Sequence, residues 1–212
     1  MAPDAFAGMK ADQMKALPPT AMGGMVAEQL TQLTPAAFKA MGANQVKALQ
    51  PAAFAGMTPQ LMAAMPTTAM GTIDSKDLGA MAPDAFAGMN AAQVKALPTK
   101  SMSGMSAEQL TQLTPAAFKS MGADQVKALQ PAAFVGVTSQ QLGQMPAAAF
   151  KGLSTAALGE LPPTALAGLT TAQARGLNTT QLGTFEPEQI AAIPDSVKNA
   201  LSAAQKAALD AG

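Results

Sequence analysis

The stretch TPAAFKAM, Thr34 to Met41, carries in eight residues the signals that decide the fold. Thr34 stands where a helix N-cap belongs, and Pro35 takes the first helical position, where a missing N–H costs least. Phe38 and Met41 lie three apart and therefore share one face of a single helical turn. The same unit returns as GADQVKAL from Gly122 to Leu129 and as EPEQIAAI from Glu186 to Ile193. Its general form is T/S/Q/P, P/A, x, A/Q, apolar, x, A/G, apolar.

Working outward from Phe38, a large apolar residue recurs every eight positions: Phe6, Met14, Met22 and Leu30 before it, then Val46, Phe54, Met62 and Met70 after it, and so on to Leu182 and Ile190. Ala174 alone in this register is not bulky. A second register, three residues later, runs from Met9 and Leu17 to Ile193 without a slip. Such self-similarity is the signature of a repeat architecture. Caps recur at Thr58, Ser106, Thr114, Ser154 and Asn178, and prolines recur at Pro51, Pro59, Pro83, Pro115, Pro131 and Pro187. One continuous helix is excluded, because proline inside a helix costs about 3 kcal/mol. A strand reading also fails, since the apolar spacing does not alternate and Ala, Gly, Met and Gln are poor strand formers. A lone octad buries too little apolar surface to offset the entropy of ordering eight residues, so the units must stack on one another. Glycines near the octad end, among them Gly56, Gly88, Gly104 and Gly168, weaken helix continuation and allow close backbone approach.

A slower period lies on top of the first. Phe favours alternate octads, while the intervening octads place Gln before the apolar residue, at Gln13, Gln29, Gln45, Gln93, Gln109, Gln125, Gln141 and Gln189. The expected structural unit is therefore a pair of octads, 16 residues, with the Phe and Gln types in two non-equivalent layers and the Gln amide bound to a backbone carbonyl or neighbouring amide. Residues 2–57 reappear as residues 82–137 with about 44 of 56 positions identical, so an 80-residue block, 2–81, is duplicated as 82–161. The predicted fold is all-α: an elongated solenoid of about two dozen short-helix repeats over residues 1–193. Residues 194–212 lack internal Pro or Gly until their close, and are predicted to form one longer capping helix from Asp195 to about Asp210.

Composition narrows the chemistry. The chain of 212 residues is 49% hydrophobic and 4% aromatic, and it has no His, Cys, Trp or Tyr. No thiolate nucleophile, imidazole base, disulfide framework or Ser-His-Asp triad can be built from it. This sequence points away from an enzyme and offers no catalytic, cofactor-binding or metal site. Lys plus Arg and Asp plus Glu number 13 each, and charged residues are 12% of the chain, too few for a phosphate-tracking surface. No nucleic-acid partner is expected. No stretch approaches 18 uninterrupted apolar residues, so membrane insertion is not expected either.

Four features invite a functional reading. The pairs Met22 and Met25, Met62 and Met65, and Met102 and Met105 have an M-x-x-M spacing that could offer thioethers to Cu(I), yet all six fall in the core registers, where Met is a pliable filler. Asp74 and Asp77 flank Lys76 in the most charged octad; two carboxylates make a poor calcium cage, and a capping Asp74 is the simpler assignment. Lys15, Lys47, Lys95 and Lys127, each following the apolar residue of a Gln-type octad, form a sparse row expected on one side, solvated or facing an acidic protein partner. Hydroxyls at the first octad position could form an ice-binding ladder, but successive octads read Thr34, Gly42, Gln50, Thr58, Pro66 and Asp74, which is turn and capping chemistry.

From Leu153 onward the units LSTAALGE, LPPTALAG, LTTAQARG and LNTTQLGT resemble the L-T-x-x-Q-V/L/I-x-A octapeptide arrays of large bacterial surface or secreted proteins of adhesin-like type. The resemblance implies a spacer that holds another module away from the cell, hence an extracellular or cell-surface location, and it brings no catalytic residues. A monomer, or an end-to-end continuation of a longer array, is the expected state. A protein-binding solenoid scaffold is the alternative.

Overall fold

The computed structural model describes residues 3–211, whose regular elements are all short helices, with no strand. We number the octads from residues 2–9 (octad 1) to 202–209 (octad 26) and their positions 1 to 8. Each octad with described residues forms one short helix, from the first at Asp4–Ala7 to the last at Ala203–Leu209. Octad 5 shows how. Thr34 is extended (φ −70°, ψ 150°), its hydroxyl accepts the Ala37 N–H, and Pro35 opens the helix Pro35–Lys39. The Phe38 N–H donates to the Thr34 carbonyl at 3.0 Å, and the Met41 N–H donates to the Phe38 carbonyl at 3.0 Å, which tightens and ends the turn. Position 8 and the next position 1 are both extended, as at Met65 (φ −63°, ψ 126°) and Pro66 (φ −63°, ψ 143°). Two consecutive extended residues redirect the chain, and proline's fixed φ suits either that corner or the first helical position.

The octads wind into a superhelix whose closely packed helix pairs are three octads apart, for example Ala11–Ala16 on Pro35–Lys39 and Pro35–Lys39 on Pro59–Ala64. Three octads therefore complete a turn, and the stack has between eight and nine turns. An odd number of octads per turn meets a two-octad alternation with a definite result: wherever the alternation holds, a Gln-type octad stacks on Phe-type octads, as Ala11–Ala16 does on Pro35–Lys39. The expected separate Phe and Gln layers are not formed; the two types interleave instead.

The core is a continuous dry seam from Phe6 to Leu209. Positions 5 and 8 fill it as the periodicity implies, and position 4 adds a third buried series that includes Ala37, Ala53, Ala69 and Ala85, each fully buried. The ends show which way each position faces. Position 4 is exposed in the first three octads (Ala5, Gln13, Ala21) and covered from Gln29 onward, with Asp77 and Gln205 half-covered. Position 5 is buried from Phe6 to Leu182, then half-buried at Ile190 and Lys198 and exposed at Lys206. Position 4 thus packs toward the preceding turn and position 5 toward the following one.

Four octads, all of odd number, wind as 3-10 helices: Pro51–Gly56, Pro83–Gly88, Thr99–Gly104 and Pro131–Gly136. Their terminal glycines explain the close approach. A Cβ added to Gly56, Gly88 or Gly104 would collide with the carbonyl of Ala27, Pro59 or Ser75, respectively, in the turn before. No described residue has a positive φ, so glycine serves here to let backbones meet, and left-handed conformations play no part.

The single capping helix expected over 195–210 is not observed. Residues 194–209 continue the repeat as two short helices, Asp195–Asn199 and Ala203–Leu209. The break falls at Ser202, whose hydroxyl accepts the Gln205 N–H at 3.3 Å, while the Gln205 side chain accepts the Ser202 N–H at 3.1 Å. This reciprocal pair is a capping box, and it restarts the helix in register. What is special about these last octads is position 5, occupied by Lys198 and Lys206 where the rest of the array places apolar groups. Lys198 is half-buried and Lys206 exposed, and no turn of the described structure covers either.

Candidate functional surface

The polar side chains that the sequence set apart fall into two groups: those consumed by the turn-to-turn seam and those left on the outer faces. Gln at position 4 is the main member of the first group. In octad 6 the Gln45 Oε1 accepts the Gly42 N–H at 2.8 Å, while Nε2 donates to the carbonyls of Met14 at 2.8 Å and Leu17 at 2.7 Å. One amide thereby satisfies an orphan N–H at the start of its own helix and two carbonyls at the end of a helix four octads earlier. The pattern repeats at Gln93 on Met62 and Met65, Gln109 on Leu78 and Met81, Gln125 on Val94 and Leu97, and Gln173 on Leu142 and Met145. These glutamines form a ladder along the molecule, and among the described residues no buried side-chain nitrogen or oxygen is left unsatisfied.

Asp77 interrupts that ladder. Its carboxylate accepts the Asp74 N–H at 3.0 Å, and Asp74 in turn accepts the N–H groups of Lys76 at 2.8 Å and Asp77 at 2.9 Å. The two acids thus build a capping box, the role assigned to Asp74 from sequence, with Asp77 as its reciprocal partner. Burial raises the Asp77 carboxyl above the ordinary value, and the neighbouring Asp74 charge adds to the rise. A carboxylate cannot donate as the amide of Gln does. Glu108 shows the opposite shift: its own backbone N–H first, and the Ser106 hydroxyl at 2.8 Å second, hold it below the usual range. Among the described residues there is no group of three or more acids that could enclose a metal ion. The methionines of the three M-x-x-M pairs are all buried in the seam among apolar neighbours.

Lys15, Lys47, Lys95 and Lys127 are exposed at position 6 of octads 2, 6, 12 and 16. They do not form the single row expected. Stacking by threes divides the octads among three columns, and these four lysines fall on all three; Lys47 and Lys95 share a column, two turns apart. The residues that do stand on successive turns were hidden by the same count. Lys127, Lys151 and Arg175 occupy position 6 of octads 16, 19 and 22, whose helices pack in sequence. A Cβ on Gly152 would meet the Lys127 side chain, and the Arg175 Nε donates to the Ala200 carbonyl at 2.8 Å, so these cations lie along the surface of the next turn. First-position hydroxyls are likewise reordered: one column reads Thr34, Thr58, Ala82, Ser106, Gln130, Ser154, Asn178, Ser202. Thr34, Thr58, Ser106, Ser154 and Ser202 are engaged as helix caps, and Ala82 and Gln130 break the series.

An apolar hollow of about 170 Å³ lies at the N-terminal end, lined by Phe6, Met9, Leu17, Met22, Met25 and Gln29 among others. It is smaller than the roughly 300–1,000 Å³ of ordinary ligand sites. A second depression, bounded by Gly23–Glu28, Gln50 and Ala52, is open to solvent. Among the described residues no helix is long and apolar enough to cross a membrane. What the fold and surface define is a helical repeat solenoid with a self-satisfied interior and charges on its outer faces. No protein-family model matches the sequence, and no curated protein matches it.

Proposed function

We propose that this chain is a structural spacer, a stalk segment of a larger surface-exposed or secreted protein of adhesin-like type. The observation that carries the reading is the repetition of one interface: turn after turn meets the next through the same position-4 and position-5 contacts, joined over much of the stack by the same Gln bonds, so length can change with little alteration of local contacts. The duplicated 80-residue block is such a change in length. A spacer works by distance, and chemistry at its surface is secondary. The test is small-angle scattering on variants from which octads are removed in pairs. The maximum dimension should fall in proportion to the turns removed, while helicity per residue stays constant. A dimension that stays fixed, or a globular profile, would reject the spacer.

The alternative is a protein-binding scaffold, favoured by the exposed lysines at position 6, which stand clear of the described ion pair between Lys198 and Asp195. Lys47→Glu with Lys127→Glu would then abolish capture of a partner without affecting folding, whereas a pure spacer loses nothing.

A further inference from the structure

The chain is neutral overall, but its charge is sorted by column over octads 11 to 22. Lys127, Lys151 and Arg175 stand on three successive turns of one column, all exposed, with Lys100 one turn before them and Asp124 as the one acid among them. A second column, over octads 11 to 20, carries Asp84, Glu108 and Glu160 and no base. Between Glu108 (octad 14) and Glu160 (octad 20) the intervening turn exposes Val135, which at 52% exposure is the most exposed large hydrophobic residue described. The helices of octads 14, 17 and 20 pack in succession, as do those of octads 16, 19 and 22. Both series therefore advance by one turn per rung and have a common spacing.

We infer that a second copy of this chain docks side by side through these two faces. Set in register, Lys127 and Arg175 of one copy meet Glu108 and Glu160 of the other, and the aliphatic stem of Lys151 covers Val135. Two observations of different kind, opposite charge and one unpartnered apolar side chain flanked by acids, select the same three turns. The remaining column also sets Lys47 and Lys95 two turns apart, but the turn between them has Gly71 at position 6, so it offers no side chain to cover Val135 and is the weaker match. Individual exposed ion pairs are weak. Their repetition along two rigid rods makes the contact cumulative and strongly dependent on salt.

The test is sedimentation equilibrium of the full chain at about 0.01 M ionic strength, where charges act over roughly 30 Å, and at about 1 M, where they act over roughly 3 Å. The expected result is a mass above that of the monomer at low salt, passing twice that mass as concentration rises because each docked pair keeps one free acidic and one free basic face, and a return to monomer at high salt. Lys127→Glu with Lys151→Glu and Arg175→Glu should remain monomeric, as should Glu108→Lys with Glu160→Lys, and mixing the two should restore association. Lys47→Glu with Lys95→Glu and Lys119→Glu makes the same change in net charge on the third column and should associate like the parent chain. Circular dichroism on each variant separates lost docking from lost folding. A parent chain that stays monomeric at low salt overturns the proposal, as does a third-column variant that loses association equally. Retention of polyglutamate by a monomeric parent chain would assign the basic face to an acidic polymer and also overturn it.

Discussion

At the scale of single residues, chemically identical changes have opposite consequences in different octads. Gly104→Ala drives a methyl into the Ser75 carbonyl, whereas nothing lies within 4 Å of a Cβ at Gly159, at the end of the helix Thr155–Gly159. Gly104→Ala should destabilise by several kcal/mol, in the range of severe overpacking, while Gly159→Ala should be neutral or stabilising by up to about 1 kcal/mol; thermal melts of the two variants make the comparison. Gln109→Leu should cost about 1–3 kcal/mol, because the carbonyls of Leu78 and Met81 and the Ser106 N–H lose their amide partner in the seam. Asp77 gives a pH signature. Its folded pKa is raised, so its favourable contribution is fully present below the unfolded value and is lost as pH rises through the folded one. Melting temperature followed upward from acidic pH should therefore decline across that window in the parent chain. In Asp77→Gln this component should be absent and the chain should be more stable at neutral pH, since Gln extends the ladder to the carbonyls of Val46 and Leu49. An unchanged profile in Asp77→Gln would contradict the assignment.

At the scale of the element, the octad is the unit of sequence but a pair of octads is the unit of substitution. Deleting octads 16 and 17, residues 122–137, keeps Gln-type octads stacked on Phe-type octads. Deleting octad 16 alone, residues 122–129, forces like on like across one turn and sets Gln side chains against the wrong neighbours. The 16-residue deletion should melt near the parent chain and cooperatively, while the 8-residue deletion should melt lower or in two steps. The individual octad was legible in the sequence: caps at Thr34 and Ser106, proline at the first helical position, and seam residues such as Phe38 and Met41 all stand where local chemistry places them. Position 4 was legible only in part. Gln was expected to bind a carbonyl and does, but the fully buried Ala37 and Ala53 read as mere small residues because alanine carries no polarity signal. The C-terminal break was missed because Ser202 and Gln205, a capping box, sit in an Ala-rich run without Pro or Gly to mark it.

At the scale of the molecule, one number organises everything else, and it is absent from the periodicity. An eight-residue repeat is compatible with several counts of octads per turn; the count is set by how Gly56 and its equivalents fit against the preceding turn and by the reach of the Gln amide, both properties of stacked neighbours far apart in sequence. Without it, Lys15, Lys47, Lys95 and Lys127 read as a row, and the column of Lys127, Lys151 and Arg175 goes unseen. With it, length, end faces and charge distribution all follow. The chain has no cysteine, which allows the count to be measured by crosslinking. In the described fold a Cβ at Gly152 lies 3.2 Å from the Lys127 Cγ, so Lys127→Cys with Gly152→Cys, spanning three octads, should close a disulfide rapidly under mild oxidation. Lys127→Cys with Gln144→Cys spans two octads, and Lys127→Cys with Glu160→Cys spans four; both should remain reduced. Closure of the first pair alone is the predicted result, and preferential closure of either other pair would contradict a superhelix of three octads per turn.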